Sequence, residues 1–496
     1  MLERITAAML YDFVRCPHRV TMDLFGNYAY RDPVSPFVQL LWDRGHAFEQ
    51  EVIDGLEVPF TNLVSLAGEE KEAGTREAME RGDELIYRGR ITFDDLLGEP
   101  DLLRRQAGGY QAGDIKSGAG LEGASDDTDG KPKKHYAVQL ALYTDVLQRL
   151  GKSDSRTAFV WDVHGDEVPY DLTAAQGARN PDSLWDLYTQ ILEQVRSITS
   201  DQDHTQPALA SDCKLCHWRS VCSKQLKDSD DLSLIPQLGR AKRDAMVGSL
   251  RTVRELATAD LGAFSAGKKT VFPGIGVDSL KKFQARAKLL TDPAAKPYVK
   301  QAINLPVSET ELFFDIETDP MRDICYLHGF VERRGGDNDT EQYHYFLAQS
   351  PSPEEEERVF AEALDYVRSR RPCIIYYYSK YERTWWRSLQ KRYPSLASEA
   401  EIESIFDPSV AIDLYYDVVS PHTEWPTNDY SIKTLAKYLG FEWRDKEPSG
   451  AASIEWYHRW VESGDSDIRK RILDYNEDDC VATRWLLDGI RKLVSG

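Results

Sequence analysis

The chain has 496 residues, 41% of them hydrophobic and 11% aromatic, enough for about three packed domains. Its 61 basic and 82 acidic side chains leave a formal charge of −21. That excludes binding of nucleic acid through a broad basic surface, though not an enzyme whose carboxylates hold cations that in turn hold phosphate.

No apolar run reaches the ~18 residues of a membrane span, so no membrane partner is expected. The opening stretch carries Glu3 and Arg4, and its apolar run is broken by Tyr11 and Asp12. It does not read as a signal peptide, so a cytoplasmic chain with reduced thiols is expected. RGHAFEQEVI (44–53) predicts a helix carrying Glu49, with His46 one turn earlier. LLGEPDLLRRQAGGYQAGDIKSG (96–118) predicts two short strands around an Ala-Gly-Gly turn. Asp101 falls on the first strand and Asp114 on the second, and alternation puts Asp114 and Lys116 on one face, opposite Ile115. Two such carboxylates suit Mg²⁺ or Mn²⁺, and a lysine beside them can orient water and offset transition-state charge. GLEGASDDTDGKPKK (120–134) is polar and Gly/Asp-rich and predicts a mobile loop. The next stretch, 135–150, predicts an amphipathic helix with Gln139 and Tyr143 at i, i+4 on one face.

Three of the seven cysteines, Cys213, Cys216 and Cys222, stand in SDCKLCHWRSVC (211–222) as C-x2-C-x5-C. In a reducing compartment the pattern favours a metal over a disulfide, and zinc suits a four-thiolate site. His217 is a poor fourth ligand, because adjacent residues rarely reach one tetrahedral ion, whereas His18 and His204 stay open.

The ordered series G-x3-E, G-x-x-D, D-x-K and Q-x3-Y resembles the RecB-like branch of the PD-(D/E)xK nucleases, over about residues 1–228. The resemblance implies a restriction-endonuclease-like α/β fold in which Glu49, Asp101 and Asp114 bind metal. It makes Lys116 catalytic, while Gln139 and Tyr143 shape the site. Many members carry His where this chain has Glu49, which keeps His46 as an alternative ligand. RecB-like nucleases of the AddB type hold a 4Fe-4S cluster on one cysteine before the nuclease motifs and three after them. By that likeness Cys16 joins Cys213, Cys216 and Cys222, and zinc is the alternative occupant.

Residues 229–303 read as purely helical, and their turns IPQLG and FPGIG resemble degenerate helix-hairpin-helix repeats. Such turns present backbone N–H groups to phosphate. Lys281, Lys282, Arg286 and Lys288 form a local basic patch, and a plain helical spacer is the equal alternative.

From 304 onward strands alternate with helices, as in an α/β domain. ELFFDIETDP (311–320) places Asp315 and Glu317 on one face of an apolar strand. Burying two unpaired carboxylates is costly, so a cation is expected between them. RRGGDNDTEQ (333–342) predicts a hairpin tip. ILDYNEDDCVATRWLL (472–487) predicts a helix with Tyr475 and Asp479 at i, i+4. Cys325, Cys373 and Cys480 are expected in the core.

The D-x-E strand and late Y-x3-D helix resemble the DEDD exonucleases of DnaQ type, in their YprB-like subgroup, with an RNase H-like fold over about 305–496. The likeness assigns Asp315, Glu317, Glu382 and Asp479 to metal and Tyr475 to catalysis, with Asp413 and Lys433 in support. Glu382, in YYYSKYERTWW, stands where the family has Asp. Together the two resemblances imply an α/β multidomain chain, divided at 1–228, 229–303 and 304–496. They imply a metal-dependent nuclease acting on DNA ends or single strands, an exonuclease of 3′ to 5′ direction in its last domain. DNA repair or end processing is the expected setting, with a helicase as a candidate partner. The alternatives are an RNA-processing exonuclease and a DNA-binding accessory protein with one site inactive.

Overall fold

The computed structural model describes residues 4–125, 128–177, 180–446 and 448–495. They form two compact units, one from residues 1–207 with 211–223, the other from 208–210 with 224–496.

The first unit is built on a six-stranded sheet in the order Glu167–Asp171, Thr157–Trp161, Gly109–Ile115, Leu102–Gln106, Leu85–Tyr87, Thr61–Asn62. The predicted hairpin is its centre. Gly108 and Gly109 take φ of +86° and +131°, values a β-carbon would oppose, and Leu102 pairs with Gly113. Strand Thr157–Trp161 runs parallel to the hairpin's second strand, with Val160 opposite Asp114. A β-carbon at Gly113 would stand 2.3 Å from the Phe159 ring, so this close pairing needs glycine.

Helix Lys134–Arg149 is buried from Ala137 to Leu147 apart from Gln139. The helix predicted as amphipathic is thus covered on nearly all sides, Thr144 and Asp145 included, and it packs against helices Ala7–Arg15 and Leu184–Thr199. The predicted loop at 120–134 is a hairpin of strands Leu121–Ser125 and Thr128–Pro132. Asp126 and Asp127, within the predicted loop, lie outside the described residues.

In the second unit the segment after 228 folds around Leu232, Ile235, Met246, Leu256, Phe272, Leu280 and Phe283. Its helices are Gly239–Met246, Val253–Thr258 and Val277–Thr291, but it is not purely helical, because Ser265–Ala266 and Lys269–Thr270 pair as a small hairpin. The basic patch is also corrected. Arg286 is fully buried and donates to Glu424 at 2.7 and 3.3 Å, while Lys300 reaches the same carboxylate at 2.9 Å. Lys281 and Lys288 are exposed, and Lys282 is half-buried and bonded to Gln237.

The main sheet of this unit has the order Asp337–Leu347, Ile324–Arg334, Thr310–Asp319, Ile374–Tyr377, Ala411–Asp413. The first three strands are antiparallel, and the last two run parallel to Thr310–Asp319. Gly335 and Gly336 make the predicted hairpin tip with φ of +59° and +69°, the left-handed pair that a two-residue turn between twisted strands requires.

Alternation along Thr310–Asp319 divides the unit's interior. Phe314 and Ile316 pack with Phe360 and Leu364 of helix Pro353–Arg370. Phe313 packs with Leu486 and Leu487 of helix Ser466–Ser495. Asp315 and Glu317 share the face of Phe313 and therefore look toward the long C-terminal helix. Cys325, Cys373 and Cys480 are buried, as expected. Among the described residues no helix is long and apolar enough to cross a membrane.

Candidate active sites

In the first unit, Asp101 immediately precedes strand Leu102–Gln106 rather than falling on it, and Asp114 is the last residue but one of the neighbouring strand. The two carboxylates are laced together through the backbone. Ile115 N–H donates to Asp101 Oδ2 at 2.9 Å, and Asp101 N–H reaches Asp114 Oδ1 at 3.5 Å. Lys116 Nζ stands 2.8 Å from Asp114 Oδ2 and 3.3 Å from Gln139 Oε1. Burial, and then the Asp114 charge, push the Asp101 carboxyl up to about 7. Burial disfavours the Lys116 ammonium, but Asp114 and Asp101 more than offset it, and the amine titrates above its ordinary value. Lys116 is thus a permanent cation at neutral pH.

Tyr143 lies on the same helix as Gln139, buried beside Gly98, where a β-carbon would meet its ring at 2.7 Å. Tyr136, which the sequence did not single out, holds its ring centroid 5.4 Å from Lys116 Nζ. On helix Pro36–Asp54, Glu49 is buried and His46 is exposed. Of the two, Glu49 points into the fold, because Tyr87 donates its hydroxyl to Glu49 Oε1 at 2.8 Å.

Arg88 is the residue sequence reasoning missed. Its guanidinium pairs with Glu49 Oε2 and lies 3.3 Å from Asp101 Oδ1. It therefore stands between two carboxylates expected to share a metal. Its backbone takes a φ of +58°, a conformation uncommon for a non-glycine residue and found most often at functional positions. Asp101 and Asp114 offer a divalent cation buried oxygen donors, with Lys116 beside Asp114 and Arg88 beside Asp101. Glu49 fits only once Arg88 moves.

The two ends of this unit are fastened to each other around the cysteines. Cys16 joins helices Ala7–Arg15 and Pro17–Phe25. Opposite them, the Cys213–Cys222 segment docks through Trp218 Nε1 and His217 Nε2, 2.8 and 2.7 Å from Asp23 Oδ1. Ser220 N–H reaches Asp32 Oδ2 at 2.9 Å, and Arg15 pairs with Asp212. Trp218 N–H donates to Cys216 Sγ at 3.4 Å, the kind of bond that favours a thiolate. Burial raises the Cys216 thiol, and Cys16 and Cys213 lie close enough to raise it further. His217 has both ring nitrogens engaged, by Asp23 and by Arg31. His18 hydrogen-bonds Thr205, and the exposed His204 pairs with Asp201.

In the second unit, among the described residues, one group of three or more acidic, His or Cys side chains brings its ligand atoms within 4.8 Å of one another: Asp315, Glu317 and Asp479. Burial, with Asp479 next, holds Asp315 well above the ordinary carboxylate range and pushes Glu317 up to about 8, against the opposing pull of Lys433. Trp443 Nε1 donates to Asp479 Oδ1 at 2.7 Å. Lys433 Nζ lies 2.7 Å from the Tyr475 hydroxyl and 3.9 Å from Asp479 Oδ2. Burial, and then Asp479, keep the Tyr475 phenol protonated far above neutral pH.

Glu382 lies in the first turn of helix Tyr381–Arg392, is buried, and among the described residues leaves Oε2 without a hydrogen-bond partner. Burial raises its carboxyl well above the ordinary range. Asp413 plays a bracing part, accepting from the N–H groups of Ser379, Tyr415 and Tyr416 at 2.9–3.1 Å. Ser379, at a φ of +90°, leads the chain into the helix that carries Glu382. A convergent trio and an orphaned buried carboxylate oxygen fit divalent cations.

Residues 34–223 match the family model of the PD-(D/E)XK nuclease superfamily. Residues 312–490 match that of the RNase_H superfamily. No curated protein matches the chain.

Proposed function

Because the chain carries a PD-(D/E)XK nuclease superfamily domain at its N-terminal end and an RNase_H superfamily domain at its C-terminal end, we propose that it hydrolyses phosphodiester bonds of DNA at two separate metal-dependent sites. The observation that carries the reading is the convergent set Asp315, Glu317 and Asp479, the first half-buried and the other two buried, with Glu382 close enough to be perturbed by Asp479. So many acidic groups drawn together stay charged only with cations beside them, and otherwise hold protons that an arriving cation displaces. Bound Mg²⁺ or Mn²⁺ supplies the charge that holds the phosphate and acidifies the attacking water. Tyr475, fixed by Lys433 and kept neutral, positions that water through a hydroxyl that both donates and accepts. In the first unit Asp101 and Asp114 would hold the ion, joined by Glu49 once Arg88 moves aside. Lys116, aimed by Asp114 and Gln139, stays positive and stabilises charge developing on the phosphate.

The same reading includes a 4Fe-4S cluster on Cys16, Cys213, Cys216 and Cys222. The docking of the cysteine segment on the first two helices supports it. A cluster there would lock two distant parts of the chain together, removing the entropy of a long loop. DNA repair or end processing, in the 3′ to 5′ direction for the second site, completes the proposal, as do the domain limits at about 228 and 303.

The test is digestion of matched end-labelled single-stranded DNA and RNA by wild type, Lys116→Ala and Asp315→Ala, with Mn²⁺, with Mg²⁺ and with chelator. Each variant should lose one of two activities, and chelator both. Faster cutting of RNA would move the substrate assignment. Wild type that binds metal and cuts neither polymer would refute the nuclease reading.

A further inference from the structure

The carboxylates of the D-x-E strand are held by a side chain that no motif contains. Asn476 follows Tyr475 on helix Ser466–Ser495 and is fully buried. Its Nδ2 donates to Asp315 Oδ2 at 2.8 Å, and it is within hydrogen-bonding reach of Glu317. Its Oδ1 accepts the Tyr343 hydroxyl at 2.8 Å from strand Asp337–Leu347. Tyr343 thereby fixes which end of the amide faces the carboxylates.

Room for this arrangement comes from Gly329, which pairs directly with Asp315 in the ladder. A β-carbon there would stand 1.6 Å from Asn476 Oδ1. The backbone itself is not left-handed, so the glycine is required by the space Asn476 occupies.

We infer that Asn476 is a positioning residue that sets the spacing of Asp315 and Glu317 for metal, with Tyr343 orienting it and Gly329 making its cradle. Chemistry selects an amide here. It donates to Asp315 and lies within reach of Glu317 while adding no charge, whereas lysine or arginine would compete with the incoming cation. An apolar residue would leave buried acceptors without a donor. The inference rests on the reading of Asp315, Glu317 and Asp479 as metal ligands.

The test is Mn²⁺ titration, followed by electron paramagnetic resonance, of the full-length protein carrying Asp114→Ala to suppress the first site. Asn476→Leu, close to isosteric, should weaken Mn²⁺ binding ten- to a hundredfold, the usual range when a residue orienting a ligand is lost. Gly329→Ala should do the same by displacing the amide, and Tyr343→Phe should give a smaller loss in the same direction. A lower melting temperature with Mn²⁺ affinity unchanged in Asn476→Leu, or unchanged affinity in Tyr343→Phe if that variant alone folds, would overturn the inference. Failure of the parent protein itself to bind Mn²⁺ at the second site would instead refute the ligand assignment.

Discussion

Arg88→Gln is the sharpest perturbation the first site offers. The guanidinium pairs with Glu49 and lies 3.3 Å from Asp101. A hydrogen bond to a charged partner contributes about 1.5–3 kcal/mol. The Arg88 side chain keeps 34% of its surface exposed, so solvent screening brings the whole contact to about 2 kcal/mol. A divalent ion entering between Glu49 and Asp101 has to displace that contact. Without it, binding should tighten by a similar amount, about thirtyfold. The metal-free protein should lose the same ~2 kcal/mol, which for a unit of this size lowers its melting temperature by about 4–8 °C, and Mn²⁺ should restore most of the difference. The assay is Mn²⁺ titration in an Asp315→Ala background, with thermal unfolding recorded with and without the ion. Weaker binding in Arg88→Gln would show that the arginine organises the ligands, and the reasoning would be wrong.

Three other outcomes follow from the same geometry. Lys116→Ala should abolish cutting by the first unit without weakening metal binding, because the ammonium acts on the transition state and does not hold the ion; Asp114→Ala should lose both, and equal affinities in the two would reverse the roles. At the second site, Glu317 with its carboxyl near 8 is protonated in the folded protein where the unfolded chain is already ionised. Metal-free stability should therefore fall as pH rises from about 4.5 to 8, while Mn²⁺ affinity rises over the same window, by calorimetry in buffers of different ionisation heat. Protein purified without oxygen should be brown, absorb near ~400 nm and hold about four iron atoms per chain; colourless Cys16→Ser would agree, and one equivalent of zinc in wild type would refute the cluster.

What the sequence made legible follows short-range geometry. Asp315 and Glu317 share a face because strands repeat every two residues, and Tyr475 and Asp479 share one because helices bring i and i+4 together. The Gly-Gly turn at 335–336 was readable because only glycine takes both left-handed positions freely. Contacts between distant segments were not readable. Nothing near Arg88 in the chain points to Glu49, and nothing near Asn476 points to Tyr343 or Gly329. Arg286 shows the converse error. Its neighbours Lys281, Lys282 and Lys288 suggested an exposed basic surface, but its partner Glu424 lies on another element, and the pair is buried. Local charge pattern reports composition of a stretch, whereas burial is decided by what the stretch packs against.

The two sites differ in how their acidic charge is balanced, and that difference orders their behaviour. Around Asp101, Asp114 and Glu49 the fold already supplies two fixed cations, Arg88 and Lys116. Among the described residues, Asp315, Glu317 and Asp479 have one lysine, 3.9 Å from Asp479, and neutral donors in Asn476 and Trp443. Neutral donors ease desolvation without cancelling charge, so protons take up the remainder, as the raised Asp315 and Glu317 carboxyls show. A site balanced by arginine resists metal until the arginine leaves, whereas a site balanced by protons exchanges them for metal as pH rises. The second unit should therefore fill first when Mn²⁺ is titrated at pH 8, and its lead should narrow toward pH 6. The first unit's occupancy should also rise over that interval, because Asp101, pushed up to about 7, gives up its proton there, but with one raised carboxyl against two and Arg88 to displace it should stay behind the second unit.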